Sequence, residues 1–257
     1  MNSLATRKVS PERALELHRQ IAPIASEYRK KFLDENEPVK DTFHTLEQLG
    51  YFIVRFPTDN NLSGFHIKKS GFDCIFVNSA QPLARQYFSA WHECYHAYTG
   101  EGGGVSLKDD IEYNEIEFKA ECFAGCILMP ENMIREYIRR HRINLNYTKY
   151  NQLINMQNYF RVSLNALLTR IIQIFPEKKK ALANRFSLSH PNRIEEMKNI
   201  IEQVDGDQTL ILPTNNFTVS QRFYEKLHSN LSQDRISPDK AHSILEMLET
   251  FREDYES

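Results

Sequence analysis

Residues 72–96 read FDCIFVNSAQPLARQYFSAWHECYH, and this stretch decides the fold that the sequence predicts. Its first six residues are rich in β-branched and aromatic side chains, which favours a strand. Residues 82–99 have the apolar pattern of a helix that is buried on most sides. Because His92 and His96 stand four residues apart in that helix, both imidazoles are expected to project from one face.

The strand has two partner candidates before it in the chain. Residues 62–67 and 72–77 are expected to form a hairpin around the turn at 68–71, and residues 51–56 form a further strand. Two helices precede the strands: residues 11–33, with Ser10 as N-cap, and residues 42–49, which end at Gly50.

The chain after residue 78 has helical patterns throughout. Helices are predicted at residues 82–99, 111–129, 131–142, 148–160, 163–175, 176–188, 191–204, 219–231 and 238–252. We therefore expect an α+β protein that is mostly helical, with a small antiparallel sheet packed on the helix of His92 and His96.

Composition excludes several classes of protein. The 257 residues are 41% hydrophobic and 26% charged, values typical of a globular chain, and the net charge of −2 offers no bulk attraction for nucleic acid or anionic membrane. No run approaches the ~18 apolar residues that cross a bilayer, and the charged N-terminus has no signal-peptide core. We expect a cytoplasmic protein without membrane contact, whose four cysteines are free thiols.

Residues 92–96, HECYH, form an H-E-x-x-H pattern. Two imidazoles on one helical face suit zinc, which accepts neutral imidazole nitrogens and keeps an open position for water in catalytic sites. Glu93 is adjacent to that position. The sequence therefore predicts His92 and His96 as metal ligands and Glu93 as the base that activates a zinc-bound water.

The helix predicted at residues 111–129 offers a third ligand. Glu117 and Glu121 border its apolar stripe, where a carboxylate is costly unless it is paired or bound to metal. We expect Glu117 to be the third ligand and Glu121 to accept a hydrogen bond from a ligand imidazole, although an interhelical ion pair would also explain Glu121.

Three longer stretches resemble the ImmA/IrrE family of zinc metallopeptidases. The first comprises residues 76–79 and 85–96 and ends in the HECYH pattern. The second comprises residues 117–124, EFKAECFA, and 127–130, ILMP. The third is residues 160–170, FRVSLNALLTR. A weaker likeness lies at residues 236–241. The resemblance implies that His92, His96 and Glu117 bind Zn²⁺ and that Glu93 is catalytic. It also implies a substrate, a DNA-bound helix-turn-helix (XRE-type) repressor of a mobile element, prophage or stress regulon.

Two positions depart from the family pattern. Tyr95 stands where members usually have a small residue, and Glu121 stands where they commonly have asparagine. Tyr95 is expected either to pack in the core or to assist the transition state. The sequence leaves the transition-state donor open among Tyr95, Tyr98, Tyr113 and His66.

Four of the nine glycines fall within residues 100–104, between the helix of His92 and the helix of Glu117. Since glycine gives a loop backbone freedom, we hypothesise that residues 101–108 form a mobile rim of the substrate cleft.

Four segments are predicted from these patterns. They are a zinc metallopeptidase domain at residues 1–145, a helix-turn-helix-like extension at 146–204, a linker at 205–216 and a small helical tail at 217–257.

Two other functions remain open at this stage. One is a direct DNA-binding regulator that uses residues 151–175, although Lys149, Arg161 and Arg170 give only a thin basic footprint. The other is a non-catalytic partner of a repressor that keeps zinc only to stabilise its helices.

Overall fold

The computed structural model describes residues 9–59, 62–102 and 111–256 of the chain. The α-helices are α1 (Pro11–Phe32), α2 (Thr42–Gln48), α3 (Leu83–Thr99), α4 (Ile111–Leu128), α5 (Glu131–Arg140), α6 (Tyr150–Phe160), α7 (Leu164–Ile174), α8 (Lys179–Leu182), α9 (Ile194–Gln203), α10 (Gln221–Ser232) and α11 (Pro238–Glu256). The strands are β1 (Phe52–Phe56), β2 (Gly64–Lys69), β3 (Phe72–Asn78) and β4 (Thr218–Val219). The expected α+β class is confirmed.

The prediction of one continuous helix over residues 176–188 was wrong. This stretch consists of the 3₁₀ helix Pro176–Lys178, the single turn of α8 and the 3₁₀ helix Ala183–Ser189. Another 3₁₀ turn, Pro191–Arg193, precedes α9. Local apolar spacing does not distinguish i→i+3 from i→i+4 hydrogen bonding, because both helix types place side chains three residues apart on one side.

The sheet is mixed, so the expectation of a purely antiparallel sheet was wrong. Its strand order is β2-β3-β1-β4; β2 and β3 form the expected antiparallel hairpin, whereas β1 pairs with β3 in parallel. The reason is burial. Residues 75–77 of β3 are fully or almost fully buried and require a strand on each side, whereas Lys68 and Lys69 of β2 are exposed and suit an edge.

The strand β4 comes from a segment that the sequence pattern assigned to the start of a helix. Val219 pairs with Val54 and Thr218 with Arg55, in the antiparallel sense. Just before it, the 3₁₀ helix Gln208–Ile211 places the fully buried Leu210 against Ala84 and Tyr87 of α3. The segment expected as a linker thus packs on the site-bearing helix, while the domain boundaries at 145, 204 and 216 remain predictions.

The helix α3 lies at the centre of the main core, between the sheet and α4. Trp91 is fully buried and donates its indole N–H to Thr42 Oγ1 at 3.2 Å. On the other side, α1 packs along α4, and the ring of Tyr28 meets the edges of Trp91 and Phe123 at 6.1 and 5.4 Å. These contacts fix the two helices that carry the predicted metal ligands.

Two buried arginines satisfy the carbonyl groups at the C-terminal end of α4. Arg29 donates to the carbonyl oxygen of Ile127 at 2.6 Å, and Arg170 donates to that of Met129 at 3.0 Å. The last carbonyls of a helix lack intrahelical partners and carry partial negative charge, so guanidinium groups there are favourable. Both arginines are 4% exposed, which makes these contacts part of the core.

The structure also defines the state of the cysteines and the apolar character of the helices. All four cysteines are free, and Cys94, Cys122 and Cys126 are buried. Among the described residues, no helix has the length and apolarity required to cross a membrane.

Asn78 joins the end of β3 to the loop that leads into β2. Its Oδ1 accepts the N–H groups of Thr58 and Ala80, and its amide donates to the carbonyl oxygens of Thr58, Asp59 and Leu62 at 2.8 to 3.1 Å. Asn78 is fully buried. One side chain therefore holds the entry to the edge strand that borders the site.

We predict that Asn78→Ala lowers the free energy of unfolding by about 3 kcal/mol, because several backbone groups lose their partner at once at ~1–3 kcal/mol each. Urea unfolding measures this loss. Asn192→Ala, at an exposed position, is the control and should leave the midpoint unchanged. Equal midpoints for the two variants would contradict the role of Asn78.

Candidate metal centre

The helix α3 presents His92 and His96 to α4 on one face. Their ring centroids are 5.0 Å apart, and the Nε2 atoms are separated by 3.2 Å. Glu117, in the second turn of α4, reaches the same point: its Oε2 lies 3.0 Å from His92 Nε2 and its Oε1 lies 3.6 Å from His96 Nε2. The structure thus brings the three predicted ligands together.

The mutual distances of these atoms fit ligands of one metal ion. Two atoms at ~2.0–2.1 Å from a tetrahedral zinc ion are about 3.3 Å apart, close to the observed 3.0, 3.2 and 3.6 Å. The ligating atoms of all three residues lie within 4.8 Å of one another. Two imidazoles and one carboxylate are also a donor set found in zinc and other transition-metal sites.

The charges of the three groups are coupled. Burial alone would lower the pKa of His92, but the hydrogen bond with Glu117 and the nearby carboxylates outweigh burial and raise it. The pKa of His96 is lowered, first by burial and then by the charge of His92. For Glu117, burial is outweighed by the two imidazoles, and its pKa is lowered. Glu117 is therefore held ionised, which is the form that binds a metal.

Glu93 lies beside His92 and is 8% exposed. Burial raises the pKa of its carboxyl group to about 7. The charge of His92 lowers this pKa, and the charge of Glu117 raises it further. Such a group can both accept and return a proton near neutral pH.

The edge strand β2 touches this carboxylate at Gly64. A Cβ atom on Gly64 would lie 2.8 Å from the carbonyl oxygen of Phe76 and 3.2 Å from Cγ of Glu93. Only glycine allows the backbone to approach this closely. No local sequence pattern marks Gly64 for this role.

The tautomer of His96 is determined by a backbone carbonyl. Nδ1 of His96 lies 2.7 Å from the carbonyl oxygen of Glu101. A carbonyl oxygen only accepts, so Nδ1 carries the proton and Nε2 is left with its lone pair toward Glu117 and the metal position. Gly102 follows with φ +80°, and a Cβ there would lie 2.7 Å from that Nδ1. The chain passes too close to His96 for any larger residue.

The side chain of Glu101 anchors this residue and so keeps its carbonyl in position against His96. Its carboxylate accepts the hydroxyl of Tyr95 at 2.6 Å and the ammonium of Lys119 at 3.0 Å. These two donors outweigh the effect of burial and lower the pKa of Glu101. Tyr95 is 1% exposed and Lys119 lies on α4, so this cluster ties the end of α3 to the helix of Glu117.

The contacts of Glu101 concern both the expected role of Tyr95 and the mobile rim expected at residues 101–108. Tyr95 packs in the core, its ring 5.6 Å from that of Phe123, and its hydroxyl proton is engaged by Glu101. It does not line the cleft beside the metal centre. Of the proposed mobile rim, Glu101 and Gly102 contact His96, and residues 103–108 lie outside the described residues.

The other candidate residues are spread around the site. Glu121 lines the cleft one turn after Glu117, and its charge helps to raise the pKa of His92. The hydrogen bond expected from a ligand imidazole to Glu121 remains a prediction. His66 pairs with Asp73 through Nε2 at 2.8 Å. Tyr98 is 40% exposed, with its ring against Tyr28. The side chain of Tyr113 lies outside the described residues.

Together, the fold and the site define a class: metallopeptidase-type domains with an H-E-x-x-H helix and a glutamate from the following helix. Residues 46–171 match the family model of the IrrE N-terminal-like domain, Peptidase_M78. This segment belongs to that family, and the resemblance to the ImmA/IrrE family is confirmed. The match supports a metallopeptidase-type function. A comparison of the chain with curated proteins gave no match.

We predict that His96→Ala and Glu117→Ala each weaken metal binding at least ~10-fold, since even the loss of a residue that only orients a ligand costs this much. Competition with a chromophoric chelator measures the affinity. Glu115→Ala is the control, because Glu115 pairs with Arg13 of α1 instead. Unchanged affinity in Glu117→Ala would remove that residue from the ligand set.

We also predict that Tyr95→Phe weakens metal binding by about 10-fold, because Glu101 loses the bond that positions its carbonyl against His96. Lys119 still binds the carboxylate of Glu101, so the loss of metal affinity should stay near the lower end of the ~10- to 100-fold range for residues that orient a ligand. Tyr98→Phe, on the same helix, should bind metal like the wild type. If both variants bind equally well, the cluster does not act on the metal centre.

Proposed function

We propose that the chain is a zinc-dependent endopeptidase. The observation that carries this proposal is the convergence of His92, His96 and Glu117 on one point, with the buried carboxylate of Glu93 beside it. Such a site combines three metal ligands with a general base. The family match over residues 46–171, which contains all four residues, supports the peptidase part of the proposal.

Zinc is the metal that we propose for His92, His96 and Glu117. A set of two histidines and one glutamate is a known catalytic zinc set that leaves a position for substrate or water. When bound, zinc supplies Lewis-acid chemistry, which polarises a carbonyl group and makes water more acidic.

Glu93 acts as the base in this proposal. Its carboxylate takes the proton from the attacking water and later delivers it to the nitrogen of the leaving amine. The contact with Gly64 and the low exposure of Glu93 keep bulk water away from much of the carboxylate. His96, fixed by the Glu101 carbonyl, keeps its Nε2 free to bind the metal.

The substrate that we propose is a helix-turn-helix repressor, and the place of action is the cytoplasm. The support for the substrate is the family resemblance, and the cytoplasm follows as the place where a protease would meet such a DNA-bound repressor. Cleavage of such a repressor would relieve repression of a mobile element or stress regulon.

The contacts of the basic residues around α6 and α7 argue against DNA binding by this helix pair. Arg170 is buried and donates to Met129, and Arg161 lies 3.2 Å from Asp207. Of the three residues that were considered for a basic footprint, Lys149 alone is exposed. A helix pair with so little free positive charge is poorly suited to phosphate contacts.

We predict that Glu93→Gln retains zinc but loses about 10²- to 10⁴-fold in cleavage rate, because glutamine cannot accept the proton. The assay follows cleavage of a helix-turn-helix repressor encoded next to this chain, together with the zinc content of each protein. Glu115→Gln serves as the control and should cleave normally. Normal cleavage by Glu93→Gln would overturn the role of Glu93 as the base, whereas absence of cleavage by the wild-type protein would favour a non-catalytic role for the zinc.

A further inference from the structure

The metal centre lies at one end of a larger cavity. This cavity has a volume of about 1020 Å³, and His92, Glu93 and Glu117 are among its lining residues. That volume is at the upper end of the range for small-molecule sites. A water and one scissile bond would leave most of it unfilled.

The cavity extends from the metal centre along both site-bearing helices. On α3, the lining residues His92, Phe88 and Arg85 follow one another toward the N-terminus, about one helical turn apart. On α4, Glu117, Glu121 and Gly125 follow one another toward the C-terminus in the same way. Seven helical residues span about 10 Å. An extended peptide covers about 3.3 Å per residue, so this length accommodates roughly three substrate residues.

The part of the lining that lies outside the segment matching the family is mainly apolar and is called the wall below. It includes Phe186, Ile194, Met197 and Ile211, all beyond residue 171. This wall is fixed relative to the metal centre: Leu210 packs on Ala84 and Tyr87 of α3. The wall therefore belongs to this chain's own extension and not to the shared domain.

The charges at the metal end of the cavity disfavour acidic residues of a substrate. The carboxylates of Glu117 and Glu121 line the end near the metal, and the apolar wall offers no partner for an ion. Two basic groups also line the cavity. Arg170 donates to the carbonyl of Met129, and Arg85, at the end far from the metal, donates to Gln81 Oε1 and Ser63 Oγ. An apolar side chain, in contrast, gains from leaving water in this channel.

We propose that this channel binds an apolar segment of about three residues in the protein substrate, immediately next to the scissile bond. The inference rests on the proposed peptidase function and names the class of peptide that it takes. Selection then depends on the wall formed by Phe186, Ile194, Met197 and Ile211 as well as on the metal centre.

Binding to the zinc-loaded Glu93→Gln protein tests this proposal without requiring hydrolysis. The probe is an array of random octapeptides with blocked ends. We expect the bound peptides to be enriched in Leu, Ile, Met and Phe at three successive positions and depleted of Asp and Glu. If no peptide binds, or if the bound peptides show no apolar preference, the proposal is overturned.

Two variants then test the wall with one of the bound peptides, in the same background and by fluorescence anisotropy. Ile194→Glu places a charge in the channel, and Ala166→Trp, on α7, fills it; each is expected to weaken binding at least 10-fold. The controls, Asn199→Glu and Asn199→Trp, introduce the same residues at an exposed position of α9 and should leave affinity unchanged. Circular dichroism identifies the folded variants, and wild-type affinity in a folded channel variant overturns the proposal.

The two proposals fail separately. If the apolar preference is present but the protein with Glu93 intact cleaves none of the bound peptides or repressors, the peptidase function is overturned and the channel stands as a peptide-binding site. If cleavage occurs without apolar residues beside the cut bond, the peptidase function stands and the channel inference is overturned.

Discussion

The contact between α3 and α4 holds two imidazoles and a carboxylate within 3.0 to 3.6 Å of one another. Groups of this kind are costly to bury unless they are paired with one another or with a metal ion. Both helices therefore need firm packing on their remaining faces, since small shifts would separate the ligands. The sheet and Trp91 provide this support for α3, and α1 provides it for α4.

Much of the surrounding structure determines the orientation of the ligands. The carbonyl of Glu101 sets the tautomer of His96, and Tyr95 and Lys119 hold Glu101 in place. Gly64 allows the edge strand to reach Glu93. Because the same helices also form the floor of the apolar channel, the groups that orient the metal and those that would bind a peptide share one scaffold.

The sequence predicted most of the helices, the hairpin and the residues that converge at the site, because these depend on short-range patterns. The spacing of His92 and His96 defines one helical face, and an acidic residue on an apolar stripe pointed to Glu117. It did not predict the order of the strands. The pairing of β1 with β3 and the addition of β4 depend on how much of each strand becomes buried, which is a property of the assembled core.

The contacts of Glu101 show the same limit. A carboxylate in a glycine-rich connection carries no local mark of its role, and the glycines of this connection predicted a mobile rim instead. Gly100 and Gly102 adopt positive φ there. The apolar residues of the channel wall were equally unmarked, since partly buried Ile and Met side chains are common in any helix.

Sequence alone was sufficient to identify the α+β class, the family and the candidate metal-binding residues, because the H-E-x-x-H spacing imposes its geometry within one helix. The tertiary structure decided which nitrogen of His96 faces the metal and that the hydroxyl of Tyr95 is bound to Glu101 and does not line the cleft. It also decided that residues beyond 171 form a wall of the cavity. These features join groups that are far apart in the chain, and their positions follow from the packing of the whole core.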